Sequence, residues 1–479
     1  MNEQTSRPEP MVSEADADAQ TDVDLHPQPE SQPEAESQPH EGVPSPDMAS
    51  DSTQQTEMTP EQASKNKPQE YTVDDYIQAY MERLANHAKQ LYRHRPISDA
   101  ALRAFWARPR HRFVKRYRRW RQEEWHEVHD DNLIEHLDAI YDDTTLILSG
   151  DDDDAVPSTI SMPIFVLHML DLLELRPGHR VFELGAGSGW NAALIGHLVS
   201  HEIRADENGD SVPADMPGEV YSIEILPEVA QQARANIEEL GLENVHIIEA
   251  DGGLGYPEGG PYDRAIFAAA SHDLHRSFYT QIKEHGLLLI ILRNRAGGDH
   301  LFILRKVDDH FESVLSSTAK FVPVTGKHGM SKLDPLVFED LPEWKKLRHK
   351  LVARRRFWWG GADLDGYTWQ TAGFGSFLSI TEPWFQPFKK STGSEVYFGL
   401  WDRVGESLVI ARDNYLYIYG SRVAEERLMT NINRWVKLGM PGAANFQLNV
   451  YPVDVPVDVG TNEWLVMRQE SQFLWKLCE

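Results

Sequence analysis

The stretch Val181-Phe-Glu-Leu-Gly-Ala-Gly-Ser-Gly189 sets the first constraint on the fold. A short apolar run feeds straight into three glycines at alternate positions. This reads as a buried strand ending in a sharp turn whose backbone can approach a ligand closely. Trp190 to Val199 follows with the composition of a helix, so its free N-terminal amides face whatever the loop holds.

The spacing of the loop separates two ligand classes. Dinucleotide loops use G-x-G-x-x-G with an acid about 20 residues further on, whereas this chain has E-x-G-x-G-x-G with its acid, Glu183, inside the pattern. That form resembles motif I of the Rossmann-like methyltransferases that use S-adenosylmethionine. A glycine-rich strand-to-helix turn without a ligand remains the plain alternative for such a match taken alone.

The surrounding pattern narrows the choice. A helix over Ile164–Leu173, a strand over 180–184, the loop and its helix, a strand over 219–223, a helix over Pro227–Leu240 and strands over 245–249, 263–268 and 286–292 alternate in order. Alternation of this kind predicts an α/β fold with a mostly parallel sheet and helices on both faces. Ligands in such sheets bind beyond the carboxyl ends of the strands. Three acids stand there: Glu183, Glu224 followed by Ile225, and Asp251 followed by Gly252. A carboxylate can accept both hydroxyls of a ribose, which suits Glu224. Asp251 suits an adenine amino group, and Glu183 suits the loop and the amino-acid end of the cofactor. Any one of them alone reads as a solvated cap; three in register with a glycine loop read as a site.

Composition sets the boundaries. The chain has 479 residues and a net charge of -28, of which residues 1–70, with sixteen acids and three bases, carry -13. That stretch has one leucine and no Ile, Phe, Trp or Tyr, so it is expected to be a disordered acidic arm. Residues 71–330 are assigned to the methyltransferase-like domain, with a helical N-terminal part over 71–157, and 331–479 to a smaller α+β domain. The lack of a signal peptide or long apolar run leads to the expectation of a soluble, cytoplasmic protein without a membrane partner. Cys478 is the single cysteine, which excludes an internal disulfide and a cysteine-based zinc site; no metal is expected. Asp151–Asp154 and the polar insertion between His201 and Gly218 read as solvated loops, since Asp206-Glu-Asn-Gly-Asp lacks the ligand spacing of a calcium loop.

Two basic, aromatic stretches raise the question of nucleic acid. Nine Lys or Arg fall between Arg103 and Arg121, and a second cluster runs from Lys345 to Trp359. The acidic balance of the chain steers poorly toward phosphate. The first is therefore read as a solvated helix face, and the second as an amphipathic helix with its tryptophans inward or as a stacking surface.

From about Arg95 to Gly326 the chain resembles the protein-L-isoaspartate O-methyltransferase family. The motifs are Phe105 with Pro109-Arg-His-Arg-Phe-Val, Tyr141-Asp-Asp, Ser158-Thr-Ile-Ser-Met-Pro, Leu172-Leu-Glu-Leu-Arg-Pro-Gly, the glycine loop, Glu239-Leu-Gly-Leu-Glu-Asn-Val, Ala250-Asp-Gly, Pro261-Tyr-Asp, Ala268-Ala-Ala and Phe321-Val-Pro-Val, in family order. The Thr-Ile-Ser-x-Pro element is the most specific, because general methyltransferases lack it. The resemblance implies a class I methyltransferase fold with S-adenosylmethionine held by Glu183, Gly185, Gly187, Gly189, Glu224, Ile225, Asp251 and Gly252. It implies Ser161 as the active-site residue, with Thr159, Ala268, Ala269 and Ala270 lining the substrate groove. The implied reaction methylates the carboxylate left as a side group when an aspartyl bond isomerises in a protein or peptide, and the ester then closes to a succinimide that reopens partly as normal aspartate. Such a carboxylate, with a pKa near 4, is already ionised at neutral pH, so no general base is needed and Ser161 orients rather than deprotonates. The plain alternative for Ser161 is an N-cap on the helix that begins at Pro163.

Two departures from the family pattern keep other functions open. Ala270-Ser271-His272-Asp273 stands where the family commonly has Ala-Ala-Pro, and about 150 residues follow the usual family end. In the tail, Ser407–Arg412 and Tyr415–Tyr419 predict a hairpin about Asp413-Asn414, followed by a helix over Ala424–Leu438 and strands over Phe446–Tyr451 and Glu463–Met467. The tail resembles those of homologues that form aspartimide in one dedicated, ribosomally made peptide. A cofactor-binding interaction protein without turnover is the third reading, against which the intact acids, glycines and Ser161 speak.

Overall fold

The computed structural model describes residues 71–92, 95–150, 157–200, 203–205, 211–213, 217–327, 335–357, 369–392, 395–412 and 415–478. The acidic arm 1–70, Asp151–Asp154, most of the polar insertion, Trp358, Trp359 and the Asp413-Asn414 turn lie outside the described residues.

Helix α1 (Val73–Leu91) opens on a capping box between Thr72 and Asp75, and α2 (Asp99–Ala107) on Ser98, whose hydroxyl accepts from the Ala101 amide at 3.1 Å. The chain then forms β1 (Arg116–Arg119), β2 (His126–Glu127), α3 (Leu133–Ile140), β3 (Leu146–Ser149) and β4 (Ser158–Ile160). These strands make a sheet of order β2-β1-β3-β4. The part expected to be helical is thus mixed, because Tyr117, Leu146 and Ile160 lie at strand positions that turn inward onto the main core.

Next come α4 (Pro163–Leu172), β5 (Arg180–Leu184), α5 (Trp190–Val199), the short pair β6 (Ile203–Ala205) and β7 (Ser211–Pro213), β8 (Glu219–Glu224), α6 (Pro227–Glu239) and β9 (Val245–Glu249). They lead to β10 (Tyr262–Ser271), α7 (Phe278–Gln281), β11 (Ile282–Arg293), β12 (Asp299–Val307) and β13 (His310–Ala319). Strands β9, β8, β5, β10 and β11 pair in parallel, with helices supplying the crossovers between β5, β8 and β9. Leu287 to Leu292 of β11 is an unbroken buried run, as expected for a strand covered on both faces. Each such side chain contributes about 2 kcal/mol by leaving water.

The tail differs from the expected separate domain. Strands β14 (Leu336–Val337), β15 (Leu351–Arg356), β16 (Phe385–Lys389), β17 (Val396–Asp402), β18 (Ser407–Arg412) and β19 (Tyr415–Gly420), with α8 (Pro342–Leu347), α9 (Trp369–Thr381) and α10 (Val423–Lys437), build a six-stranded sheet and its helices. The chain then returns as β20 (Phe446–Pro452), β21 (Glu463–Met467) and β22 (Ser471–Leu477). These last strands extend the first sheet, whose full order is β21-β22-β20-β13-β12-β11-β10-β5-β8-β9. The outer edge of β13 requires a partner, and β20 supplies it through the pairs Phe311–Val450 and Glu312–Asn449. Leu448, Val450, Phe473 and Trp475 join the same core as β11. The ten-stranded sheet is therefore half parallel and half antiparallel, and residues 331–479 do not pack as one unit.

In the second basic stretch the described residues form a short helix and then a strand, so the amphipathic-helix alternative does not hold along its length. Lys345 and Lys346 end α8, whereas Arg354–Arg356 lie in β15, an edge strand paired with β19. There Arg354 stacks on Tyr415 at 3.7 Å and Arg355 pairs with Glu425 at 3.0 Å. Among the described residues no helix is long and apolar enough to cross a membrane, and no group of three His, Cys, Asp or Glu could hold a metal.

Candidate active site

Strand β5 delivers the glycine loop to the carboxyl edge of the sheet. Gly185, Gly187 and Gly189 all take positive φ, at 91°, 55° and 84°. At Gly187 the reason is double, since a Cβ would also stand 3.3 Å from the Thr159 carbonyl oxygen. The loop is thereby wedged against β4, and the glycines and the Ser158–Ser161 segment become two sides of one cavity.

That cavity has a volume of about 770 Å³ and is lined by Gly185, Gly187, Thr159, Ser161, Glu224, Ile225, Asp251, Gly252, Ala268 and Ala269, among others. Glu224, almost fully buried, ends β8; its Oε2 accepts from the Gly187 amide at 2.9 Å and its Oε1 from the Ile225 and Leu226 amides at 3.0 and 3.1 Å. Asp251 follows β9 and accepts from the amides of Gly253 and Lys327, both at 3.0 Å. Both carboxylates are thus fixed by backbone donors and present their faces to the cavity.

Three sequence-predicted residues do not line it. Gly189 is the left-handed N-cap of α5 and packs on α6, and Ala270 is buried and paired with Val322 and Val324. Glu183 is fully buried behind the loop, taking hydrogen bonds from Ser222 Oγ at 2.5 Å and from Asn191 Nδ2. Its side chain stands on the face of the sheet shared with Ser222 of β8 and covered by Asn191 of α5, because residues alternate along β5. It therefore joins β5 to β8 and α5 and does not face the cavity.

Burial lifts the Glu183 carboxyl to about 7, with Glu224 adding to the rise. A carboxyl with a folded-state pKa above its ordinary 4.5 contributes stability that is whole below pH 4.5 and is lost as pH climbs through 7. Glu183→Gln keeps the shape and cannot ionise. From about pH 5 to pH 8 the wild type should lose up to about 3 kcal/mol more stability than the variant, read from urea midpoints. Parallel pH profiles would contradict the assignment.

Sequence reasoning missed two residues of the site. Asn191 stands in the first turn of α5 and lines the cavity; its Oδ1 is buried without a hydrogen-bond partner while its amide holds Glu183. Its only signal was its place one turn past the glycines. The second is Arg110, fully buried in a stretch read as a solvated face. Its guanidinium donates to the carbonyls of Ile140, Asp142 (3.4 Å), Thr144 (3.0 Å), Ile160 (3.2 Å) and Ser161 (3.0 Å). Burial lowers its pKa to about 10, with Asp143 opposing, so it remains a cation at neutral pH. Arg110 also lies over the Trp190 ring, and the Trp190 indole donates to the Arg108 carbonyl at 2.8 Å. One arginine thus ties the serine segment to the helix that follows the glycine loop.

The N-cap alternative for Ser161 is not what the structure shows. Met162 occupies the cap of α4 without a side-chain bond, Pro163 begins the helix, and Asp143 Oδ1 accepts from the Ile164 amide at 3.0 Å. With that donor satisfied by Asp143, the Ser161 hydroxyl makes no hydrogen bond among the described residues and stays available to the cavity. His272 and His275 lie outside the lining; His275 instead faces Glu470 at 3.6 Å.

Comparison with known proteins adds to this geometry. The model of the family described as protein-L-isoaspartate(D-aspartate) O-methyltransferase matches residues 86–329. The chain is similar to the protein-L-isoaspartate O-methyltransferase of Pyrococcus horikoshii, with 36% identity over 36% of this chain and 70% of that one. It is similar to that of Hyperthermus butylicus, with 37% identity over 41% of this chain and 75% of that one. A solved protein-L-isoaspartate O-methyltransferase structure shares 20% identity at a TM-score of 0.45, covering 78% of this chain and 96% of that one. With half of its length matched by the family model, the chain belongs to the protein-L-isoaspartate(D-aspartate) O-methyltransferase family.

Proposed function

We propose that this chain methylates the free carboxylate of isoaspartyl residues in proteins, using S-adenosylmethionine, and so starts their repair through a succinimide. The observation that carries the reading is one cavity shared by Ser161, Thr159, the glycine loop, Glu224 and Asp251, with the Ser161 hydroxyl uncommitted.

The residues present fit the cofactor. The orphaned Asn191 Oδ1 suits the ammonium of its amino-acid end, Glu224 the ribose hydroxyls and Asp251 the adenine amino group. When bound, S-adenosylmethionine supplies a methyl group carried on positively charged sulfur. The chain's own task is to hold the acceptor. Ser161 donates a hydrogen bond to one oxygen of the substrate carboxylate and leaves the other directed at the reaction centre. Thr159, Ala268 and Ala269 flank the peptide, and the cavity wall keeps water away from the ionised group. No proton has to be removed before transfer, because the acceptor carboxylate is already ionised at neutral pH.

The reading as an enzyme dedicated to one peptide rested on the likeness of the tail to those of peptide-modifying homologues, and part of that tail instead completes the ten-stranded sheet. A cytoplasmic pool of ageing proteins is the substrate source we infer. Incubation of an isoaspartyl peptide with full-length protein and S-adenosylmethionine should convert it, by chromatography, into succinimide and then partly into the aspartyl isomer. An isomer ratio that stays constant would falsify the repair role.

A further inference from the structure

The turn that departs from the family pattern has a definite structural partner. Strand β10 ends with Ala268 and Ala269 in the cavity wall, and Ala270 exchanges two 2.8 Å backbone hydrogen bonds with Val322 and Val324. Residues 321–325 line the same wall. Their far side is fixed by Arg293, which donates to the Phe321 carbonyl at 2.9 Å, and by Asp299, which accepts from the Phe321 amide at 3.1 Å.

Asp273 fixes the near side. Its Oδ2 accepts from the amides of Gln469 and Glu470 at 3.0 and 2.9 Å, and its Oδ1 from the Ser471 hydroxyl and, at 2.9 Å, the Leu274 amide. The Ser271 hydroxyl closes the turn onto the Asp273 carbonyl at 2.8 Å. Glu470 reaches back to His275 and Arg276, each at 3.6 Å. Four donors on one carboxylate, two from the turn between β21 and β22 and one from the first residue of β22, are more than a solvated aspartate gathers. A proline-type family turn offers no such acceptor, so the Ser271-His272-Asp273 sequence and the C-terminal hairpin belong to one device.

We propose that Asp273 is a positioning residue for methyl transfer: by clamping the turn between β21 and β22 to the end of β10, it sets the substrate-facing wall at Ala268 and Ala269. The inference rests on the proposed function, in which that wall faces the peptide. The cofactor side is anchored separately, through Glu224 and Asp251 at β8 and β9, and Asp273 touches none of it. Loss of the clamp is therefore felt by the peptide and not by the cofactor.

The test uses the full chain. In Asp273→Asn, whose amide turns a donor toward donors, the KM for an isoaspartyl peptide should rise about tenfold. Affinity for S-adenosylmethionine should stay within about twofold. Ser471→Ala removes one bond only and should raise KM by a smaller factor in the same direction, which keeps the test available if the first variant folds poorly. A lowered melting temperature with KM unchanged in the folded variants would make Asp273 merely structural and overturn the inference alone. Absence of methylation by the wild type would overturn the function itself and this inference with it.

Discussion

Ser161→Ala should lower kcat/KM for methyl transfer to an isoaspartyl peptide by about 10- to 100-fold, with S-adenosylmethionine affinity unchanged within about twofold. The magnitude follows from one hydrogen bond to a charged acceptor, about 1.5–3 kcal/mol, at 1.36 kcal/mol per decade. The asymmetry follows from geometry. The hydroxyl caps nothing in the fold, because Asp143 serves the Ile164 amide, while the backbone carbonyl remains held by Arg110. Steady-state kinetics with calorimetric cofactor binding separates the two quantities. Loss of cofactor binding in parallel with activity would mean that the serine shapes the loop and does not orient the acceptor.

Arg110→Met should cost about 4 kcal/mol of stability, the second large effect. Removing the guanidinium strands five carbonyls, each buried acceptor costing about 1–3 kcal/mol if water cannot reach it, and partial relaxation limits the sum. Arg110→Lys keeps the charge but loses the fork that serves carbonyls at the end of α3, in the turn that follows it and along the β4 segment together, so it should recover only part of the loss. Urea denaturation measures both. Because Ile160 and Ser161 are among the acceptors, activity at temperatures where Arg110→Lys is folded should also fall. A stable Arg110→Met variant with native activity would show the hub to be dispensable.

The half of the molecule that binds ligand was legible because its signals are local. Strand β5, helix α5 and strand β9 fall where apolar runs, glycines and helical spacing put them, and the strand-end rule placed Glu224 and Asp251 at the cavity. Glu183 shows where that rule stops: it sits inside the strand, so the pleat turns its side chain away from the edge. Arg110 was hidden by its neighbours, since nine basic residues in nineteen make exposure the default and burial of one leaves no local mark. In the tail, β20 and β21 fall where the alternation put them, yet β20 pairs with β13, more than 120 residues away, and only the need to cover that edge selects it. The Lys345–Trp359 stretch failed for a related reason. Arg354 meets Tyr415 across a strand pairing, and Arg355 meets Glu425 of α10, partners that the local pattern does not announce.

The central claim, that this cavity delivers methyl groups to misplaced aspartyl carboxylates, is tested most directly with two peptides of one sequence, differing only in an isoaspartyl or an aspartyl linkage. Full-length protein is incubated with methyl-labelled S-adenosylmethionine, and base-labile label in each peptide is counted. The account predicts label in the isoaspartyl peptide, close to none in the aspartyl one, and a sharp fall in Ser161→Ala. Equal labelling of the two, or none in either, would contradict it.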